Sequence, residues 1–145
     1  MRRFILGLDE GTTSARSDLY DVDTKKIVDI EAKPFKQFYP QSGWVEQDAE
    51  EIYHKILSTA HDVLIRQNVL KEELLGIGIT NQRETVVAWN RDTGKPIYRA
   101  IVWQCRRTTN MIKNLSQKAK ELIKEKTGLI PNPYFSASKM KWILE

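Results

Sequence analysis

Three observations predict an α/β fold for this chain: an apolar run from Phe4 to Leu8 that opens three strand-like stretches, a capped amphipathic helix after Asp48, and a glycine-punctuated apolar strand from Leu74 to Thr80. Where hairpin-connected strands lead through a helix into a parallel strand, ligands tend to bind beyond the strand ends.

Phe4 to Leu8 is expected to pair with a weaker strand, Ser17 to Tyr20, across a glycine- and hydroxyl-rich turn, forming an antiparallel hairpin. Asp21 to Lys26 has turn composition, and Ile27 to Phe35 supplies a third strand through the partial alternation of Ile27, Val28 and Ile30. Asp48, with Glu51 three residues later, is an acidic variant of the capping box. The apolar face it opens runs Ala49, Ile52, Tyr53, Ile56, Leu57, Ala60, Val63 and Leu64. In Leu74 to Thr80, leucine and isoleucine around Gly76 and Gly78 suit a buried parallel strand with a helix packed close on it. Two further strands, Thr85 to Trp89 and Pro96 to Trp103, are expected around the turn Asn90 to Lys95, where Gly94 supplies a positive φ. Helices follow from Cys105 to Lys126. Lys139 to Glu145 reads as another amphipathic helix, with Met140, Trp142, Ile143 and Leu144 and no closing glycine or polar cap. No internal repeat or low-complexity linker appears, and one domain over residues 1–145 is the default.

With 41% apolar and 29% charged residues among 145, the composition is that of an ordinary globular core with a solvated surface. The single cysteine, Cys105, excludes an internal disulfide framework and fits a reducing, cytoplasmic setting better as a buried small residue than as a nucleophile. The apolar stretch after Met1 is broken by Asp9 and Glu10, too soon for a signal peptide, and no run approaches the roughly 18 apolar residues of a membrane span. The net charge of +4 is spread along the chain, and Lys113 to Lys126 alternates lysine with leucine and isoleucine at helical spacing, so a surface helix is expected there and no nucleic acid or membrane partner. His54 and His61 lie seven apart, without the spacing of a helical metal pair.

The chemistry-bearing segment is DEGTTSAR, Asp9 to Arg16. Gly11 permits a tight turn, while the amides and hydroxyls of Thr12, Thr13 and Ser14 are donors that can converge on phosphoryl oxygens. Asp9 could hold magnesium directly or through water, and Arg16 could offset phosphate charge. The same residue types also make a plain hairpin turn, and composition alone leaves the two readings level. It is no Walker loop, because the pattern G-x-x-x-x-G-K-[ST] is absent.

DEGTTSAR is similar to the first phosphate-binding loop of the sugar-kinase, actin and Hsp70 superfamily. Four further segments resemble glycerol kinases of the FGGY carbohydrate-kinase family: GWVEQD at Gly43 to Asp48, GITNQRET at Gly78 to Thr85, GKPIYRAIVWQCRRT at Gly94 to Thr108, and PYFSASKMKWIL at Pro133 to Leu144. The resemblance implies a ribonuclease H-like, actin-like mixed sheet flanked by helices. It also implies binding of ATP or ADP with magnesium through Asp9, Gly11, Thr12, Thr13, Ser14 and Arg16. By the same resemblance Arg83 and Glu84 bind the hydroxyls of glycerol, Trp103 packs on its carbon face and Tyr134 donates to a hydroxyl. Guanidinium donors beside a carboxylate acceptor suit adjacent polyol oxygens, although an exposed ion pair and two core aromatics would account for the same residues.

Glu10 stands where this family usually has glutamine, adding charge beside the loop, and Asp18 interrupts a strand that is normally apolar, as an edge or a bulge would. The resemblance places the aspartate base and most of the adenosine site downstream. The chain is therefore expected to be the N-terminal part of the first, glycerol-binding domain, inactive without the remainder of a polypeptide that assembles as a homo-oligomer. The alternatives are a non-catalytic polyol- or nucleotide-binding fragment and a kinase for a larger sugar such as a pentulose.

Overall fold

The computed structural model describes every residue, Met1–Glu145. In chain order the strands and helices are β1 Phe4–Glu10, β2 Ser14–Asp21, β3 Lys26–Pro34, β4 Gln37–Phe38, β5 Glu46–Gln47, α1 Ala49–Arg66, β6 Leu74–Asn81, β7 Ala100–Ile101, α2 Thr109–Lys113, α3 Gln117–Thr127 and α4 Ser136–Leu144. Packing divides them into two units, Met1–Lys36 with Asp48–Gln82, and Gln37–Gln47 with Arg83–Glu145.

The first unit is a four-stranded sheet in the order β3-β2-β1-β6. β1 to β3 are antiparallel neighbours as expected, and β6 runs parallel to β1. Alternation along β1 and β2 sends Phe4, Leu6 and Leu19 to one face, where Val63 of α1 completes a buried cluster flanked by Leu8, Ala60, Leu64, Val69 and Leu74. Each large apolar side chain buried there stabilises the fold by roughly 1.5–3 kcal/mol. Between the same layers Ser17 and Thr59 are fully buried and satisfy one another through a 2.8 Å hydroxyl contact.

α1 starts where the sequence places it, because Asp48 Oδ1 accepts from the amides of Glu50 and Glu51 at 2.9 and 3.2 Å. The Glu51 carboxylate does not close a reciprocal capping box; it accepts from the Lys36 amide and pairs with Lys55. The inward face is also narrower than the pattern suggests. Thr59 and Val63 are buried, whereas Tyr53 and Leu57 are exposed, since α1 lies on β2 and β3 rather than beneath a second layer. At its far end Arg66 forks onto Asp29 and Glu31 of β3. The hydrogen bonds from Arg66 hold the Asp29 carboxyl down to about 2.

β6 is parallel as expected but not buried. It forms the sheet edge, and Leu75, Ile77 and Ile79, which alternate onto one face, are all more than half exposed. No atom lies within 4 Å of where a Cβ would stand on Gly76 or Gly78, so these glycines mark no close helix.

The second unit is built on a three-stranded sheet of minimal length, β4-β5-β7. The two strands expected between Thr85 and Trp103 shrink to the two-residue β7 and isolated bridges, Val86 to Ile101 and Trp89 to Pro96. The antiparallel pairing is kept, with Val86 and Ile101 exchanging 2.9 Å bonds, but Pro96 has no amide to extend it. Gly94 adopts φ 69° in the connecting turn as predicted. The helical stretch expected from Cys105 begins only at Thr109 and breaks at residues 114–116, where Ser116 caps α3 through the Ala119 amide, and Gly128 at φ 73° ends it. Met140 and Leu144 of α4 are exposed, and the residue this helix buries completely is Lys139. No helix is long and apolar enough to cross a membrane.

Candidate functional site

Two groups of polar side chains stand apart from the cores, one in each unit. In the first, the β1–β2 register sets Asp9 directly opposite Arg16, and opposed residues project to one face. Arg16 Nη2 lies 3.0 Å from Asp9 Oδ2, and Arg16 Nε lies 3.5 Å from Asp18 Oδ2. Because Gly7 and Gly78 carry no side chains beside them, an open depression of about 350 Å³ forms against Asp9, Arg16, Asp18 and Thr80. Asp18 neither sits on an edge nor forms a bulge; it is a counter-ion for Arg16, and its Oδ1 is buried without a partner.

The turn between these strands is closed by a 3.0 Å bond from the Gly11 amide to the Ser14 carbonyl. Gly11 is not at positive φ. Its constraint is contact, since a Cβ would meet the Ser14 oxygen at 3.2 Å. Thr13 is exposed, and Gly11, Thr12 and Ser14 are half-buried. Glu10 accepts from Gln82 Nε2 at 2.7 Å, and that amide also reaches the Gly11 carbonyl at 3.1 Å. Burial pushes the Glu10 carboxyl up, against the opposing hydrogen bonds from Gln82.

In the second unit, Glu84 has φ 66°, a left-handed conformation in which a glutamate is strained. Such strain persists where the surroundings over-determine it, and it concentrates at functional sites. Here the carboxylate is grasped by the N-terminus of α4: Glu84 Oε2 accepts from the Ser136 amide at 2.8 Å and from its hydroxyl at 2.7 Å. The adjacent Thr85 Oγ1 accepts from the Trp103 amide at 3.2 Å, tying the two loops together. Trp103 meets Tyr134 edge to face, centroids 5.7 Å apart, and Tyr134 meets Phe135 at 5.1 Å. Both Trp103 and Tyr134 are half-buried rather than core. Arg83 is exposed, and the Glu84 carboxylate turns to Ser136 rather than to it.

Beneath these loops the unit is held by charge. Arg107, its side chain fully buried, donates to Glu46 Oε1 at 2.6 Å, to the Tyr98 hydroxyl at 3.3 Å and to Cys105 Sγ at 3.1 Å, and its guanidinium lies 3.9 Å from the Trp44 ring centroid and 4.5 Å from that of Trp142. Cys105 is accordingly a buried structural thiol. Thr108 and Ser138 share a 2.8 Å hydroxyl contact.

Residues 4–145 match the model of the FGGY family of carbohydrate kinases, N-terminal domain. The chain belongs to that family. It is 50% identical to a glycerol kinase of Desulforamulus reducens and 50% identical to one of Carboxydothermus hydrogenoformans, in each case over 99% of this chain and 29% of the relative. It therefore spans under a third of the length of the relatives it matches. Among solved structures, Plasmodium falciparum glycerol kinase with ADP superposes with a TM-score of 0.82 at 36% identity, over 99% of this chain and 29% of that one. A gluconate kinase from Lactobacillus acidophilus, TM-score 0.87 at 20% identity over all of this chain and 29% of that one, shares the fold. The actin-like α/β architecture implied by the sequence is thus that of FGGY kinases.

Of the residues singled out by sequence, Asp9 and Arg16 come together with the Gly11 to Ser14 turn, and Trp103 comes together with Tyr134. Ser136, Thr85 and Lys139 were missed. All three lie within the segments GITNQRET and PYFSASKMKWIL. Lys139, four residues from both Phe135 and Ile143, has the spacing of an inward helix face.

Proposed function

We propose that this chain supplies the glycerol-binding and phosphate-binding parts of an ATP-dependent glycerol kinase, which transfers the terminal phosphoryl group of ATP to a glycerol hydroxyl and releases glycerol 3-phosphate and ADP. The observation that carries the reading is Glu84, held in a left-handed conformation with its carboxylate clasped by Ser136, beside the Trp103–Tyr134 pair. Both bonds from Ser136 fall on Oε2, which leaves Oε1 to accept from a ligand hydroxyl. The exposed Arg83 donates to a neighbouring oxygen, the Trp103 ring packs on the carbon chain, and the Tyr134 hydroxyl reads a third oxygen. Half identity to glycerol kinases of two bacteria supports glycerol over a longer polyol.

In the first unit, the amides and hydroxyls of Thr12, Thr13 and Ser14 hold nucleotide phosphate, with Arg16 offsetting its charge. One carboxylate beside phosphate oxygens fits magnesium, which keeps several waters and takes one or two protein carboxylates; Asp9 would hold it, and it would neutralise charge on the transferring phosphoryl group. The base that takes the hydroxyl proton, an aspartate by family resemblance, belongs to polypeptide beyond these residues, as does most of the adenosine site. A chimera tests the assignment directly. Replacing the matching segment of the Desulforamulus reducens glycerol kinase with this chain should preserve ATP-dependent phosphorylation of glycerol, and Glu84→Ala or Arg83→Ala in the chimera should raise KM for glycerol by tenfold or more, in line with the roughly 1.5–3 kcal/mol of a charged hydrogen bond. A chimera that folds and phosphorylates a pentulose instead would overturn it.

A further inference from the structure

Lys139 is fully buried, and no step of the reading above uses it. Its ammonium donates to the Tyr134 carbonyl and, at 3.2 Å, to the Phe135 carbonyl, the two residues that end the loop before α4. One turn earlier on the same helix, Ser136 clasps Glu84. Burying a lysine is costly, and a site seeking only packing or two carbonyl partners has cheaper solutions in a neutral side chain. The geometry points to Lys139 as the positioning residue of the polyol pocket: its ammonium fixes the Tyr134–Phe135 turn, and with it the Tyr134 ring against Trp103, while placing a positive charge behind Glu84. This rests on the proposed glycerol-binding reading for its ligand but not for its geometry.

The titratable and charged groups that face the ammonium are Glu84, which favours the charged form, the Cys105 thiol, which also favours it, and Arg106, which opposes it. Burial is the dominant influence and lowers Lys139 to about 8, against 10.5 for a free lysine. The sign of the linkage separates positioning from mere structure. Between the folded value and the unfolded one, the unfolded chain binds more protons, so stability rises as pH rises through this window. The pocket behaves oppositely. A neutral amine still reaches both carbonyls, but more weakly and without charge behind Glu84, so polyol affinity falls as the protein becomes more stable.

The test is a pH series on the chain labelled with fluorotryptophan, the Trp103 resonance assigned by its loss in Trp103→Phe, together with glycerol titrations at pH 7 and pH 9.5. Positioning predicts a Trp103 shift with a midpoint near 8, absent in Lys139→Met, and glycerol affinity about fivefold weaker at the higher pH while the melting temperature does not fall. Lys139→Arg, which keeps the charge, should retain the pH 7 affinity better than Lys139→Met. A Trp103 resonance that does not move between pH 7 and 9.5 in the unsubstituted chain overturns the inference without any variant having to fold. If glycerol fails to bind while the Trp103 resonance titrates as described, the glycerol reading falls and the positioning role stands.

Discussion

The two units solve the same problem of stability differently. The first closes an apolar core, Phe4, Leu6, Leu19 and Val63, between a regular sheet and one helix. The second has three two-residue strands and keeps Arg107, Glu46, Gln47, Thr108 and Lys139 out of solvent. The proposed phosphate-binding turn belongs to the regular unit, where strand register fixes it. The proposed polyol-binding residues belong to the irregular one, where buried polar groups hold the loops. The difference teaches that a binding site on loops carries its order in its hydrogen bonds, not in its secondary structure.

Removing Arg107 should break this contrast most severely. Arg107→Ala leaves Glu46 buried without its cation and strips a guanidinium from between Trp44 and Trp142, and should cost about 3–5 kcal/mol in chemical denaturation. Hydrogen exchange should rise in the second unit first. Replacing both partners by apolar residues of similar volume should restore most of that loss, because the pair owes its cost to desolvation. The matching change in the first unit, Leu19→Ala, should cost about 2–5 kcal/mol through transfer and cavity terms, with exchange rising in the sheet and α1 instead. Asp48→Ala, which frees the Glu50 and Glu51 amides, should cost about 1 kcal/mol by thermal denaturation.

The smallest expected effect is at Glu10. Burial raises its carboxyl in the fold, so ionisation disfavours the folded state, and stability falls as pH climbs from the unfolded carboxylate value through the folded one. Glu10→Gln cannot ionise and keeps an oxygen for Gln82, so it should be more stable at pH 7 than the unsubstituted chain and should lose that slope in melting temperature between pH 4 and 7. With a negative charge gone beside the Gly11 turn, ADP with magnesium should also bind more tightly.

The same contrast explains what could be read from the sequence. In the first unit, the apolar run of β1, the turn after it and the Asp48 cap led directly to the observed hairpin and helix, because apolar runs and caps are local signals. The same signals misjudged β6, since the alternating Leu75, Ile77 and Ile79 have the composition of a covered strand while the sheet ends there. In the second unit the sequence suggested two strands between Thr85 and Trp103 where only the two-residue β7 and isolated bridges form. Arg107 carried no such signal and Lys139 only its helical spacing, because a charged residue reads as surface until the carboxylate, rings or carbonyls that satisfy it are placed. Trp103, Tyr134 and Glu84 were found by motif, and their mutual arrangement depends on Ser136 and Thr85, whose roles no pattern announces.

Calorimetric titration of this chain and its Glu84→Gln variant with glycerol tests the account at its centre. Saturable binding by the unsubstituted protein, weakened at least tenfold in Glu84→Gln at an unchanged melting temperature, is the predicted result. Equal affinity in the two proteins, or no saturable heat from either, would contradict it.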